Sequence, residues 1–317
     1  MNGMQTRTIN KVLTKKMNDW LESIDDESLR KRCKKDVIVT GGSIASMLLG
    51  ENVNDYDVYF RTYETTKAVA EYYLAKFKAE RVAKQGGIKY DMNLEELKDT
   101  LGRQRVRIVV KSAGVVGDNQ SADYQYFETT TGETPDAGDY IDEAYENMQA
   151  EGHVDEEVAK KKPPFHPVFL SSNAITLKDG VQVIIRFFGG PEAIHENFDF
   201  VHCTNYWTYE EGVVVNQEAL LSLMSKTLVY RGSLYPVCSI FRSKKFILRG
   251  WKINAGQYLK MVMQINDLDL NNPVILEEQL TGVDVAYFSE VLRKAKQKDN
   301  DQIETAYLVE IVERMFG

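Results

Sequence analysis

Two aspartates one residue apart follow a glycine turn in the stretch "GGSIASMLLGENVNDYDVYF", residues 41–60. Alternate side chains of a strand project from the same face, so Asp55 and Asp57 are predicted to lie side by side. Two neighbouring carboxylates repel one another unless cations neutralise them, and paired Mg²⁺ ions do this in sites that transfer phosphoryl or nucleotidyl groups. The spacing therefore predicts a site in which Asp55 and Asp57 hold two Mg²⁺ ions.

The glycine turn supplies the second half of such a site. Gly41, Gly42 and Ser43 come before an apolar run with helical spacing. A helix N-terminus presents backbone N–H groups and the positive end of its dipole to an anion, and the Ser43 hydroxyl adds a contact. We therefore predict that these three residues bind the triphosphate of a nucleotide. The alternative is that the glycines form only a turn and that the aspartates are loop or capping residues.

The residues around this motif predict a domain that mixes helices and strands. The runs 36–40 and 105–113 are β-branched and typical of strands, and Asp179-Gly180 is a strong hairpin signal between two more. Helical patterns occupy the first 35 residues and return after Asn216. We predict N-terminal helices over 1–35, an α/β-containing domain over 36–214 and a helical domain over 215–317.

The motif resembles the signature of the nucleotidyltransferase superfamily that includes DNA polymerase beta: a G-[GS] turn, a helix, then Asp-apolar-Asp. It is most similar to the head domain of tRNA CCA-adding enzymes and bacterial poly(A) polymerases, although this chain has Ala45-Ser46 where they have Arg-Asp. The whole chain also resembles a nucleotidyltransferase group of tailed bacteriophages. The matching residues are Gly41, Gly42, Leu48, Leu49, Gly50, Asp55 and Asp57.

The resemblance implies an α+β fold, with a polymerase beta-like mixed sheet and flanking helices, followed by a mostly helical C-terminal domain. It also implies a third carboxylate on a neighbouring strand. Asp199 lies in an apolar frame within the run 198–207, which reads as a strand, and a charge there must be paired or bind a metal. We predict Asp199 as the third catalytic and metal-binding carboxylate. The alternative is a structural carboxylate paired with Arg186. At the position of an acidic residue in CCA-adding enzymes this chain has Gln182.

Charge is distributed unevenly in a chain whose net charge is -8. The segment from Lys226 to Met261 contains eight Lys or Arg and no Asp or Glu. Arg242, Lys245 and Arg249 share one face of a predicted helix, and we predict that they bind nucleotide phosphates or an RNA backbone. The alternative is a solvated helix face. The opposite face, predicted to be buried in the core, consists of Ile240, Phe241, Ile247 and Leu248.

An acidic insertion is predicted over 114–166, because the segment from Ser112 to Ala159 contains thirteen Asp or Glu and no Lys or Arg. It could fold over the basic face, remain a solvated loop, or act as a lid or a partner-binding segment. The chain has no apolar run of membrane-spanning length, no apolar secretory segment and no paired cysteine spacing. These features predict a cytoplasmic protein, in the host cytoplasm if a phage encodes it.

The combined prediction is a Mg²⁺-dependent nucleotidyltransferase that moves a nucleoside monophosphate from an NTP to an acceptor hydroxyl, with an RNA 3′ end as the first choice of acceptor. Nucleotidylation of a protein or a small molecule is the second choice. A different class of function is a catalytically inactive nucleotidyltransferase fold that acts as a binding protein. The oligomeric state does not follow from these residues.

Overall fold

The structure, a computed structural model, describes residues 3–85, 90–98, 102–112, 164–171, 173–270 and the single residues 272, 275 and 279. Nearly all of the predicted acidic insertion lies outside these residues. The chain divides into two compact units. Among the described residues, the first unit holds those up to 112, 164–196 and Cys203–Asn216, and the second holds Asn197–His202 and those from Gln217 onward.

The first unit contains five α-helices and nine strands among its described residues. The helices are α1 (Thr6–Glu22), α2 (Glu27–Asp36), α3 (Gly42–Leu49), α4 (Tyr63–Gln85) and α5 (Pro191–His195). The strands are β1 (Val37–Thr40), β2 (Tyr56–Phe60), β3 (Tyr90–Lys98), β4 (Gln104–Ser112), β5 (Pro167–Leu170), β6 (Ala174–Leu177), β7 (Val181–Ile184), β8 (Tyr206–Thr208) and β9 (Gly212–Val214).

Seven of these strands form one mixed sheet in the order β5-β6-β7-β2-β1-β8-β9. Its neighbours are antiparallel except for β2 and β7, which run parallel. The remaining strands, β3 and β4, form a separate antiparallel pair. The predicted α+β class, with a mixed sheet and flanking helices, is therefore confirmed. The β6–β7 hairpin is also present, and its connection, residues 178–180, has Asp179 and Gly180 at φ 67° and 72°.

One face of the central strands forms the core of the first unit. The side chains of Val58 and Phe60 on β2 are fully buried, and the Trp20 ring of α1 lies 6.3 Å from that of Phe60. The indole N–H of Trp207 on β8 donates to Asn10 of α1 over 2.7 Å. The N-terminal helices, given a domain of their own from the sequence, thus pack as part of the sheet unit.

The second unit contains α6 (Gln217–Ser225), α7 (Pro236–Leu248) and α8 (Ala255–Asn266) among its described residues. The helical character predicted after Asn216 agrees with these three helices. The strand predicted over 198–207 is wrong in its first part. A 3-10 helix occupies Val201–Cys203, and the strand β8 begins only at Tyr206. The backbone before it is held instead by bonds such as Val201 N–H to the Val229 carbonyl, 3.0 Å.

Helix α7 buries a different face from the one predicted. Its buried residues are Pro236, Cys238, Ser239 and Ser243. Ile247 and Leu248, predicted as core, are 42% and 77% exposed. The prediction of the core face was therefore wrong for these two residues, and the face that α7 buries carries small side chains. None of the helices described is both long and apolar enough to cross a membrane.

Candidate nucleotide-binding site

The turn before α3 has a backbone that only glycine adopts readily. Gly41 has φ 93° and ψ -149° and stands at the N-cap of α3. This region of backbone space is essentially closed to residues with a Cβ. Gly42 then begins the helix, and Gly50 ends it in a left-handed conformation, as the sequence predicted for a C-cap. Gly41 thus provides a backbone conformation that other residues avoid, and Gly42 is the first residue of the helix.

A buried hydrogen-bond network anchors the turn from below. The Thr40 hydroxyl donates to the carbonyl of Asn205 over 2.8 Å and lies 2.8 Å from Nε2 of His195. Because the hydroxyl proton is directed at the carbonyl, the imidazole Nε2–H donates to the hydroxyl oxygen. The Gly41 N–H donates to the carbonyl of Cys203 over 3.2 Å. The last residue of β1 and the first of the turn are therefore fixed in position.

The turn lies against the carboxylate of Asp57. Thr40 on β1 pairs with Asp57 on the antiparallel strand β2. A Cβ atom at Gly41 would lie only 2.8 Å from Oδ2 of Asp57, closer than real Cβ contacts come. Any larger residue at position 41 would displace the carboxylate. The sequence prediction that the turn and the strand carboxylate belong to one site is therefore matched by direct proximity between them.

The N-terminus of α3 carries a buried hydroxyl that no described residue satisfies. Ser43 is 3% exposed, and its Oγ has no hydrogen-bond partner among the described residues. Gly41 at the N-cap has no side chain with which to cap the helix. Apart from the first turn of α3 itself, no described atom comes within 4 Å of where a Gly42 Cβ would lie. Open space at the N-terminus of a helix suits an anion.

Asp55 lies immediately before β2, which begins at Tyr56, rather than within the strand as predicted. Its side chain keeps contact with solvent. Partial desolvation by the surrounding protein raises the pKa of the Asp55 carboxyl above its ordinary value of 3.8. The negative charge is thus disfavoured there, and a bound cation would relieve that cost.

Asp199 lies in the second unit. Its Oδ2 accepts a hydrogen bond from Nη1 of Arg242 over 2.9 Å, and its backbone carbonyl accepts one from the N–H of Arg231. The alternative partner suggested by the sequence, Arg186, belongs to the first unit. Over the part of the chain that the structure describes, no three His, Cys, Asp or Glu residues cluster as a metal-binding set would. The role of Asp199 as a third metal-binding carboxylate stays a prediction.

The basic residues predicted to bind nucleotide also lie in the second unit. Arg242 forms an ion pair with Asp199. Lys245 is exposed on α7, and Arg249 follows the end of that helix with its guanidinium 5.8 Å from the Phe246 ring. The site that the described residues form in the first unit thus contains Gly41, Gly42, Ser43, Asp55 and Asp57 of the predicted residues.

The residue paired with Asp57 on the other side is Gln182. Strand β7 runs parallel to β2, with Asp57 opposite Gln182 and Gln182 opposite Thr176 of β6. Paired residues of adjacent strands project from the same face. Sequence reasoning identified Gln182 only as the non-acidic residue at a position where relatives of the motif carry an acid. It missed that this amide flanks Asp57, because the pairing joins two distant segments.

Comparison with models of protein families shows to which family the chain belongs. Residues 11–226 match the model of the Gabija anti-defense 2 family. The chain belongs to that family. A Gabija anti-defense 2 protein of Bacillus phage SPbetaL7 is 22% identical over 116 residues, which are 36% of this chain and 29% of that protein. The chain is thus matched to less than a third of that relative's length.

This chain also shows structural similarity to solved structures of CCA-adding enzymes. That of Thermotoga maritima, complexed with tRNA, has 12% identity and a TM-score of 0.36 over 90% of this chain and 56% of that one. The Bacillus stearothermophilus enzyme in complex with CTP has 10% identity and a TM-score of 0.37 over 88% and 51%. The chain spans about half the length of each. These structural similarities are weak, and the candidate site is therefore described from the residues of the turn and of β2 alone.

The residues present fit a Mg²⁺ ion that arrives with a nucleotide. Mg²⁺ is commonly bound by one or two protein carboxylates together with substrate phosphates, and needs no cage made only of protein ligands. Asp55 and Asp57 supply the carboxylates, and the open N-terminus of α3 supplies a place for the phosphates. The Ser43 hydroxyl, which has no hydrogen-bond partner among the described residues, belongs to the first turn of the same helix. The absence of a third clustered acid among the described residues is compatible with such a site.

Proposed function

We propose that this Gabija anti-defense 2 chain is a Mg²⁺-dependent nucleotidyltransferase that moves a nucleoside monophosphate from an NTP to a hydroxyl acceptor, with the 3′ end of an RNA as that acceptor. The observation that carries the proposal is the contact between the Gly41 turn and the Asp57 carboxylate. This contact supports the proposal, because a phosphate bound at the helix N-terminus and the nearby Asp57 carboxylate would repel one another unless a cation lay between them. We further propose that the reaction serves the anti-defence role in the family's name, in the host cytoplasm.

The chemical step needs little from the protein beyond positioning and charge. The acceptor oxygen forms a bond to the α-phosphorus, the bond from that phosphorus to the bridging oxygen breaks, pyrophosphate leaves, and the hydroxyl proton passes to water. Gly42 and Ser43 hold the phosphates through N–H and O–H donors, and the Thr40 network keeps the turn in place. A Mg²⁺ ion held by Asp55 and Asp57 would supply charge neutralisation at the phosphates.

Three assays with purified protein test this proposal. Incubation with Mg²⁺, each α-labelled NTP and total RNA or lysate is expected to label RNA, whereas labelled protein or a labelled small molecule would replace RNA as the acceptor. Asp57→Asn should reduce transfer by ~10²-fold or more, because even an outer partner of a metal ligand costs about 10- to 100-fold. Its melting temperature should be unchanged or higher, since one of two repelling charges is removed. Full transfer by Asp57→Asn would refute the proposal.

A second candidate function is binding without catalysis. It is favoured by the ion pair of Asp199 with Arg242, which gives this carboxylate a partner other than a metal ion. The two candidates separate in cells that carry the Gabija defence. If Asp57→Asn protects an infecting phage as well as the wild-type chain does, the role in anti-defence is binding. If protection is lost while the variant is folded and expressed at the wild-type level, transfer is required.

A further inference from the structure

A row of uncharged side chains continues the site from Asp57 across the sheet. Gln182 of β7 lies opposite Asp57, Thr176 of β6 lies opposite Gln182, and Phe169 of β5 lies opposite Thr176. Adjacent strands are about 4.8 Å apart, so these three residues lie roughly 5, 10 and 14 Å from the line of β2. The row therefore begins at a carboxylate of the proposed reaction and ends at an aromatic ring near the edge of the sheet.

This face of the sheet is partly open along the row, whereas Thr40, which pairs with Asp57, and Tyr59 on the same face are buried. Asp57, Gln182, Thr176 and Phe169 are all partly exposed. Their neighbours along the strands point to the other face and are buried: Val181 and Val183 are fully buried, and Leu170, Ile175 and Leu177 are at most 2% exposed. A ligand that lies across the sheet beside Asp57 consequently meets the row and not the core.

The chemistry of the row suits a sugar and a base better than a phosphate. An amide and a hydroxyl each donate and accept hydrogen bonds, and neither carries charge. Neither the Gln182 nor the Thr176 side chain makes a hydrogen bond to another described residue, so both are available to a ligand. Phe169 presents a partly exposed ring, and bases of single-stranded nucleic acid stack on such rings. No Lys or Arg stands in the row itself to attract a phosphate.

We infer that this row is the acceptor subsite and that Gln182 recognises the 2′-hydroxyl of the terminal ribose of an RNA strand. The inference rests on the proposed function, because the ribose is placed by its 3′-hydroxyl beside Asp57. The 2′-hydroxyl is the group by which a protein distinguishes RNA from DNA. It is attached to the carbon next to the one that carries the 3′-hydroxyl, and Gln182 is the residue paired with Asp57 on the neighbouring strand. The base of the same nucleotide then extends over Thr176 toward Phe169.

The test compares two 12-nucleotide single strands of identical sequence that end in ribose or in 2′-deoxyribose. Wild-type protein should use the ribose-ended strand with a kcat/KM about two- to twelve-fold higher, the range of one hydrogen bond. Gln182→Ala should lose this preference through a higher KM for the ribose-ended strand, with unchanged use of the deoxyribose-ended strand. Fluorescence anisotropy of both labelled strands should show the same loss of preference in equilibrium binding, independently of turnover.

The controls separate this inference from the proposed function. Gln104→Ala, an exposed glutamine of β4, should behave as wild type. Calorimetry should give Gln182→Ala the wild-type affinity for each Mg²⁺-NTP, and its melting temperature should not change. A ribose preference that persists in Gln182→Ala, while Asp57→Asn is inactive, overturns the subsite and leaves the transfer reaction standing. Labelling of a protein in place of RNA, or no affinity for either strand, likewise overturns it. Transfer by Asp57→Asn overturns the proposed function itself.

Discussion

Replacement of Gly42 by valine should separate nucleotide binding from folding. A Gly42 Cβ meets open space, and the backbone there has ordinary helical dihedrals, so the fold has room for the new side chain. Glycine costs a helix about 1 kcal/mol relative to alanine, and valine costs up to about 0.7 kcal/mol. The free energy of unfolding should therefore change by less than ~0.5 kcal/mol, which corresponds to a shift of about 2 °C or less in melting temperature.

The same substitution should weaken nucleotide binding strongly. The two methyl groups would occupy the approach of a phosphate to the N–H groups of Gly42 and Ser43. Loss of one hydrogen bond to a charged group costs about 1.5–3 kcal/mol, which is roughly a 12- to 160-fold rise in Kd. Gly42→Ala should show a smaller effect in the same direction, because one methyl group fills less of the space.

Isothermal titration calorimetry with each Mg²⁺-NTP measures the affinity, and thermal denaturation measures the stability. Gly256→Val is the control, since Gly256 also lies in the first turn of a helix, α8; its Cβ would lie 3.3 Å from Oδ1 of the capping residue Asn254, so a small loss of stability is expected. It should leave the affinity for the NTP unchanged. Wild-type affinity in Gly42→Val would refute the placement of the triphosphate. A large loss of stability would refute the open space at α3.

Three further results are expected. Gly41→Ala should lose activity and about 1–3 kcal/mol of unfolding free energy, measured by urea denaturation, because its φ is 93° and its Cβ would displace Asp57. Burial lowers the pKa of His202 to about 4 from 6.5, so the free energy of unfolding should fall as the pH drops below 6.5, by up to ~3 kcal/mol near pH 4, and His202→Leu should flatten this dependence. Arg242→Met should cost about 1 kcal/mol, because it leaves Asp199 without its ion pair, and should leave NTP affinity unchanged. A normal melting curve for Gly41→Ala, a flat pH dependence for wild type or a loss of NTP affinity in Arg242→Met would each contradict its prediction.

The nucleotide half of the site was accessible from the sequence because its determinants are local. The turn at Gly41, the helix that starts at Gly42 and the carboxylate of Asp57 all lie within twenty residues. Glycine at a left-handed position, apolar residues at helical spacing and alternation along a strand each leave a direct trace in the sequence. Asp55 was placed one residue too far into the strand, as element boundaries commonly are.

The residues chosen by charge were less well predicted. Asp199 was selected because a carboxylate in an apolar frame needs a partner, and that reasoning was sound, since its Oδ2 accepts from Arg242 over 2.9 Å. The pattern of apolar neighbours does not say whether the partner is a metal or an arginine. The burial of α7 was also misjudged, because close packing through Ser239 and Ser243 leaves no trace in hydrophobic periodicity.

The acceptor half of the site depends on a pairing that no local pattern encodes. Gln182 reaches Asp57 only because β7 runs parallel to β2, and these strands are joined by a long connection that includes α4, the β3–β4 pair and the β5–β6 pair. Within the sequence of this apolar strand, nothing marks the Gln182 amide as a neighbour of Asp57 until the register between β7 and β2 is known. A neutral residue beside the carboxylates changes what the site recognises, since an acid there would compete for a cation, whereas an amide can bind a hydroxyl. In the proposed reaction, recognition of the acceptor would therefore depend on the topology of the sheet, and recognition of the donor on the turn.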